Sequence, residues 1–298
     1  MIRLGGILAP VVTPFDADGE VDERAFTGNL RAHLAAGVSG IVVTGSTGEA
    51  ALLDDRERNA LVEAARRTVP SDRTLLVGTG AESTRATIAR TRAAAEREAD
   101  AVLVVAPHYY GDAMTPDALQ EHYERVADAS PLPVLLYTIP KYMHFALSPD
   151  VVAQLARHEN IVGMKDSSGD TALLARYLES KSASFQVLTG SGALFGEAMR
   201  MGADGGILAV ALFAAELTFD VWRARERGDA TAAEASQAVL TPLAARIVGG
   251  MGVAGVKAAL DRVGLAGGAP RSPLRPLAGP ARALLDELLR AAELAPAA

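Results

Sequence analysis

The 298-residue chain carries 29 Lys/Arg against 36 Asp/Glu, a net charge of −7, with 49% hydrophobic and 22% charged residues. That balance is globular, with enough apolar material for a large core, and its acidity argues against nucleic acid or an anionic membrane as the main partner. Cysteine is absent, which excludes disulfides, thiolate metal sites, iron–sulfur clusters and a cysteine nucleophile.

The N-terminus has no long apolar signal core, and no run of about 18 apolar residues occurs. The expectation is a cytoplasmic protein without a membrane partner. In chain order, short apolar, β-branched runs recur at Ile7–Val12, Ile41–Thr44, Leu75–Val77, Ala101–Val105, Val134–Tyr137, Ile161–Lys165, Phe185–Thr189 and Gly206–Val210. Continuous apolar runs of this length predict parallel strands covered on both faces. Helical patterns lie between them. Asp54-x-x-Glu57 reads as a capping box, Thr115-Pro116 and Ser148-Pro149 as caps before a first-turn proline, and Gly37 and Gly202 as helix stops. Eight strands alternating with helices predict a (β/α)8 TIM barrel over residues 1–213, with a doubly wound open sheet as the alternative. Residues 214–298 read as a C-terminal helical region packed on the barrel. It comprises helices to about Val263, a Gly/Pro-rich loop over Gly267–Pro280, and an amphipathic helix over Ala281–Leu294.

A barrel places its chemistry at the C-terminal ends of its strands. There the sequence sets Gly45-Ser46-Thr47-Gly48-Glu49, Tyr109-Tyr110, Tyr137, Lys165-Asp166-Ser167 and Gly190-Ser191-Gly192. This is a polar, mostly uncharged rim with one amine. Only four of the 29 cationic residues are lysines: Lys141, Lys165, Lys181 and Lys257. Lys165 closes an apolar run, and a desolvated lysine favours the neutral amine that attacks a ketone. Pairing with Asp166 at the rim is the plainer alternative. Tyr137 can carry protons or simply pack. The Gly45–Gly48 segment, beside a helix start, suits a small anion or is an ordinary turn. Gly190–Gly196 is a near miss to a dinucleotide fingerprint, with G-x-G-x-x-x-G spacing. The five histidines form no metal-ligand pattern, so no metal and no cofactor are expected.

Together these segments resemble the dihydrodipicolinate synthase / N-acetylneuraminate lyase superfamily over nearly the whole chain. The resemblance is carried by Gly45–Glu49, Tyr109-Tyr110, Tyr137-x-x-Pro140 and Gly163-x-Lys165-Asp166-Ser167. It implies a TIM barrel with a C-terminal helical region, assembled as a homotetramer of tight dimers. It also implies Lys165 as the Schiff-base nucleophile toward pyruvate or another 2-oxo acid, and Tyr137 as the acid–base tyrosine. Ser46 and Thr47 would hold the pyruvate carboxylate and relay protons, and Tyr110 would reach across the dimer interface. Gly190 and the Ile207 carbonyl would line the pyruvate site, and Ser167 would contact substrate. Within the superfamily the text is most similar to 4-hydroxy-2-oxoglutarate aldolase, through Ile161–Asp170, Phe185–Gly192 and Gly267–Leu274.

Two positions depart from family patterns. Thr47 stands where those aldolases tend to have asparagine. Tyr142 stands where the synthases have the arginine that holds the aldehyde's distal carboxylate. The expected activity is therefore a metal-independent class I aldolase that cleaves a 4-hydroxy-2-oxo acid to pyruvate and an aldehyde such as glyoxylate. The alternatives are synthase-type condensation, dehydration of 2-keto-3-deoxy sugar acids, a dinucleotide-dependent oxidoreductase, and a silent 2-oxo-acid sensor.

Overall fold

The computed structural model describes residues 4–294. Eight parallel strands close into a barrel in sequential order. They are β1 (Gly6–Pro10), β2 (Gly40–Val43), β3 (Thr74–Gly78), β4 (Ala101–Val105), β5 (Val134–Thr138), β6 (Ile161–Asp166), β7 (Gln186–Thr189) and β8 (Gly205–Ile207). Nearly every strand residue is buried, as continuous apolar runs require. The barrel closes where β1 meets β8, with Gly6 opposite Gly205. Gly205 has φ +156°, and a Cβ there would fall 2.1 Å from the Gly6 carbonyl oxygen, so only glycine permits this approach.

The barrel helices are α1 (Glu23–Ala35), α2 (Asp55–Thr68), α3 (Thr84–Ala95), α4 (Pro116–Ala129), α5 (Pro140–Met143), α6 (Pro149–Leu155), α7 (Thr171–Leu178), α8 (Phe195–Met201) and α9 (Ala215–Glu226). Their starts follow the sequence signals. Asp54 and Glu57 form a reciprocal capping box on α2, and Thr115 and Ser148 cap α4 and α6 ahead of Pro116 and Pro149. Gly37 and Gly202 take left-handed conformations just past α1 and α8. Strands β1, β2 and β8 end earlier than their patterns suggest, at Pro10, Val43 and Ile207, and β8 falls short by the most. Residues 208–210 are apolar, but the chain leaves the sheet after Ile207 and turns through a 3₁₀ segment at Ala209–Leu212. That turn carries Ala209 onto the barrel mouth.

The helix that follows β8, α9, lies past residue 213, where the sequence reading ended the barrel; after it come α10 (Ala230–Pro242), a π-helical segment (Leu243–Met251), α11 (Gly252–Arg262) and α12 (Gly279–Ala291). Pro242 cannot donate to the α-helical ladder, and the wider π turn begins at the next residue. By length and hydropathy, Ala230–Arg262 could cross a membrane. Its apolar side chains Leu240, Leu243, Ile247, Val256 and Leu260 are instead buried in the core.

Candidate active site

Lys165 is the penultimate residue of β6 and stands opposite Tyr137 of β5. The β5–β6 register slips by one residue between Val134 and Leu135. Such a bulge re-aims the side chains beyond it. The Lys165 side chain is buried, and its Nζ lies 4.2 Å from the centroid of the Tyr137 ring. Asp166 is not its partner. The Asp166 carboxylate accepts the Ser168 N–H at 2.9 Å and the Ser168 hydroxyl at 3.0 Å. Burial raises the Asp166 pKa, and the Ser168 hydrogen bonds pull it back in part. Successive residues of a strand face opposite sides, so Lys165 and Asp166 part company. The rim ion pair considered from the sequence does not form.

Ser46, Thr47, Tyr137, Lys165, Ser167, Gly190 and Ile207 all line one cavity of about 290 Å³ at the C-terminal mouth of the barrel. Gly190 is where the packing is tightest. Its N–H donates to the Asp166 carbonyl at 2.6 Å. A Cβ at this position would lie 1.9 Å from Ser167 Oγ and 2.8 Å from Lys165 Cε. The stem of the lysine thus runs against bare backbone, and a larger residue would displace it.

The Ser46–Thr47 loop is bracketed by two non-glycine residues in the left-handed region, Thr44 (φ 51°) and Glu49 (φ 57°). Such conformations persist where the surroundings hold them. The sequence reading set this loop beside a helix start. The structure instead inserts a 3₁₀ turn at Ala50–Leu52 and begins α2 at Asp55, with its N-terminus closed by Asp54. Within the loop, the N–H groups of Gly48 and Ala50 donate to the Gly45 carbonyl. What the loop offers an anion is the pair of Ser46 and Thr47 hydroxyls rather than a helix terminus.

The far wall of the cavity comes from outside the barrel. The π-helical segment supplies Ala244, Val248 and Gly249, α11 supplies Gly252 and Val256, and α5 supplies Lys141 and Tyr142. The sequence reading gave the helices after residue 214 only a packing role on the barrel, so this roof was missed. The Tyr142 hydroxyl is raised above its usual pKa, first by burial and then by Tyr137. Tyr110 is placed elsewhere. It is exposed, stacks edge-on with Tyr109 at 5.0 Å, and lines a larger cavity of about 1040 Å³. The two cavities share Ser46, Tyr137, Ile139, Tyr142, Gly252 and Val253. Within one chain, therefore, Tyr110 is separated from Lys165 by that common wall.

A second group of residues that the sequence reading missed holds the Ser46–Thr47 loop in place. Lys257 and Glu49 form a fully buried ion pair at 2.7 Å. Lys257 also donates to the carbonyls of Thr13 (2.8 Å) and Ala269 (2.9 Å) and lies 4.5 Å over the Phe15 ring. Burial pushes the lysine pKa down while Glu49 pulls it up, the net direction being downward. The other Glu49 oxygen accepts the Arg271 N–H at 2.8 Å, and Arg271 grips Glu57 through two contacts of 2.6 and 2.8 Å. That salt bridge lowers the Glu57 pKa. The rarity of lysine that marked Lys165 also marked Lys257.

The Gly190–Gly196 segment is not arranged like a dinucleotide loop. A Cβ on Gly192 would fall 2.6 Å from Val210, and the Gly196 N–H donates to Gln237 Oε1 at 2.7 Å. The Gln237 amide donates to the carbonyls of Gly192 and Ala193. The N-terminus of α8, where a dinucleotide would need bare N–H groups, is already occupied by a side chain. Among the described residues, no three His, Asp or Glu side chains cluster closely enough to hold a metal ion.

The closed parallel barrel is a TIM barrel, and the similarities that follow place it among lyases of that fold. The chain belongs to the dihydrodipicolinate synthetase family, whose pattern it matches over residues 3–292. It is 38% identical over 285 residues to a DapA-like lyase of Halobacterium salinarum, covering 96% of this chain and 93% of that protein. It is 34% identical over 285 residues to the 4-hydroxy-tetrahydrodipicolinate synthase of Methanothrix thermoacetophila, covering 95% of each. The crystal structure of the dihydrodipicolinate synthase of Acinetobacter baumannii complexed with pyruvate superposes with a TM-score of 0.93 at 32% identity, over 98% of this chain and 100% of that one.

Proposed function

We propose that this protein is a pyruvate-dependent Schiff-base enzyme that makes or breaks a carbon–carbon bond between pyruvate C3 and an aldehyde-level carbon, without a metal or cofactor. The observation that carries this reading is a buried lysine amine over the Tyr137 ring, in a cavity whose lining includes no carboxylate. A lysine amine enclosed at the barrel mouth is placed to attack a ketone carbon and form an imine.

In this reading Lys165 attacks C2 of pyruvate, and loss of water leaves a protonated imine. The Ser46 and Thr47 hydroxyls hold the carboxylate, with the Gly190 backbone and the Ile207 carbonyl beside the bound pyruvate. The imine withdraws electrons from C3, so C3 loses a proton and an enamine forms. In the synthetic direction the enamine carbon attacks the second substrate. In cleavage, Tyr137, with Ser46 and the Tyr110 of a second copy of the chain as relay, takes the proton of the 4-hydroxyl, the C3–C4 electrons pass to the imine, and the aldehyde departs. The enamine left behind takes a proton at C3, and hydrolysis of the resulting imine frees pyruvate and Lys165. Ser167 faces the second substrate.

Condensation of the type named in the 4-hydroxy-tetrahydrodipicolinate synthases has the better support from relatives. Cleavage of a 4-hydroxy-2-oxo acid is the second reading. It rests on Tyr142, which occupies the synthase arginine position in the cavity wall. The test is exchange of the pyruvate C3 protons with solvent deuterium, followed by NMR. Exchange catalysed by the wild type and absent from Lys165→Ala is the expected result. No exchange in the wild type rejects the reading. Assays for 4-hydroxy-tetrahydrodipicolinate formation and for pyruvate release from 4-hydroxy-2-oxoglutarate then separate its two directions.

A further inference from the structure

Ser46 and Thr47 line the cavity, and among the described residues neither hydroxyl has a hydrogen-bond partner. Their placement therefore depends on the backbone that carries them. That backbone is fixed at the next two residues. The Gly48 carbonyl accepts the Thr13 hydroxyl at 2.7 Å, and the Thr13 carbonyl accepts Lys257 Nζ at 2.8 Å. Glu49, at φ 57°, takes Lys257 on one carboxylate oxygen and the Arg271 N–H on the other. Lys257 gives its third hydrogen to the Ala269 carbonyl, so all three of its donors are used. Gly267 packs against the backbone of the same lysine, where a Cβ would lie 1.9 Å from the Lys257 carbonyl oxygen.

Stability alone gives no reason for this arrangement. A buried ion pair is often no more stable than apolar side chains of the same volume, and a residue other than glycine is strained at positive φ. What the pair supplies is position, because a buried network with every donor matched admits few geometries. We propose that Lys257 and Glu49 are positioning residues for the first substrate, linked through Thr13 to the Ser46–Thr47 loop. They hold the two hydroxyls where the carboxylate of a 2-oxo acid lies when its ketone reaches Lys165. The C-terminal helices would then govern affinity for that anion through groups that never touch it. This rests on the Schiff-base reading above and deepens it.

The experiment is borohydride trapping of pyruvate and of pyruvamide, its neutral analogue of the same size, on the full-length protein. The half-saturating concentration and the trapping rate at saturation are read for each, and urea unfolding reports the fold of each variant. The wild type is expected to half-saturate with pyruvate at about 10- to 100-fold lower concentration than with pyruvamide, the range of charge-assisted hydrogen bonds. Lys257→Met/Glu49→Gln should bring the two concentrations together by raising that of pyruvate, with the rate at saturation unchanged because Lys165 is untouched. Thr13→Val keeps shape and charge, removes one hydrogen bond, and should move the ratio part of the way. A wild type that does not distinguish the two ketones overturns the proposal. So does a full preference in the folded double variant or, should that variant not fold, in Thr13→Val. An equal rise for both ketones, or a slower rate at saturation with the preference kept, is what a merely structural role gives, and overturns it too. Failure of the wild type to trap either ketone would instead strike the Schiff-base reading itself.

Discussion

Replacing Gly190 by alanine probes the geometry of the site directly. The added methyl would sit 2.8 Å from Lys165 Cε and 1.9 Å from Ser167 Oγ. Ordinary contact begins near 3.4 Å. The serine must swing to another rotamer, and the lysine stem must retreat by roughly 0.6 Å or more, the difference between contact and clash. A displacement of about 1 Å at the reacting centre costs on the order of 100-fold in rate, about 2.7 kcal/mol of barrier. Gly190 has no left-handed φ to lose, and its N–H bond to Asp166 survives the change. The protein should therefore still fold. The assay is pyruvate C3 exchange alongside urea unfolding. The expected outcome is a rate about 100-fold lower in a protein of near-normal stability. A wild-type rate in a folded Gly190→Ala variant would refute the claim that the lysine stem is held against this backbone.

Other predictions concern the scaffold. Lys257→Met leaves Glu49 charged and buried, so stability should fall by about 3–5 kcal/mol, and Lys257→Met/Glu49→Gln should recover a large part of that loss; denaturant midpoints of the three proteins decide it. Burial holds His33 and His122 at pKa values of about 4, down from 6.5. Between those values the unfolded chain binds more protons than the folded one, so stability should fall as pH drops, by about 1.4 kcal/mol per unit for each histidine, and level off below pH 4. Urea titrations from pH 7.5 to 4 measure this slope, and His122→Gln should halve it. Gly28→Ala lies on an exposed turn of α1 with nothing within 4 Å of the new methyl. It should raise stability by about 0.5–1 kcal/mol, and a loss would show that the helix is packed differently there.

Much of the barrel could be read from the sequence because a parallel strand buried on both faces leaves an uninterrupted apolar run, and its helices announce their starts with caps such as Asp54, Thr115 and Ser148. Lys165 was legible for a related reason: an amine ending an apolar run, in a chain that otherwise uses arginine, is chemically out of place. The end of β8 was not legible. Residues 208–210 are as apolar as a strand, and nothing in their composition marks the 3₁₀ turn at Ala209–Leu212. Nor was the roof, because nothing local to Pro242 says that a π turn follows and reaches Lys141. Lys257 and Glu49 lie 208 residues apart, a separation at which neither residue's neighbours reveal the other. Tyr110 was legible as a notable residue, but its distance from Lys165 within one chain depends on how the wall through Tyr137 and Tyr142 folds.

The central claim is that the amine of Lys165 forms a covalent imine with pyruvate. Borohydride reduction in the presence of pyruvate, followed by peptide mass spectrometry, tests it most directly. The expected result is one reduced adduct on the peptide carrying Lys165, with Lys141, Lys181 and Lys257 unmodified. An adduct confined to another lysine, or none in a folded protein beside a reactive control aldolase, would contradict it.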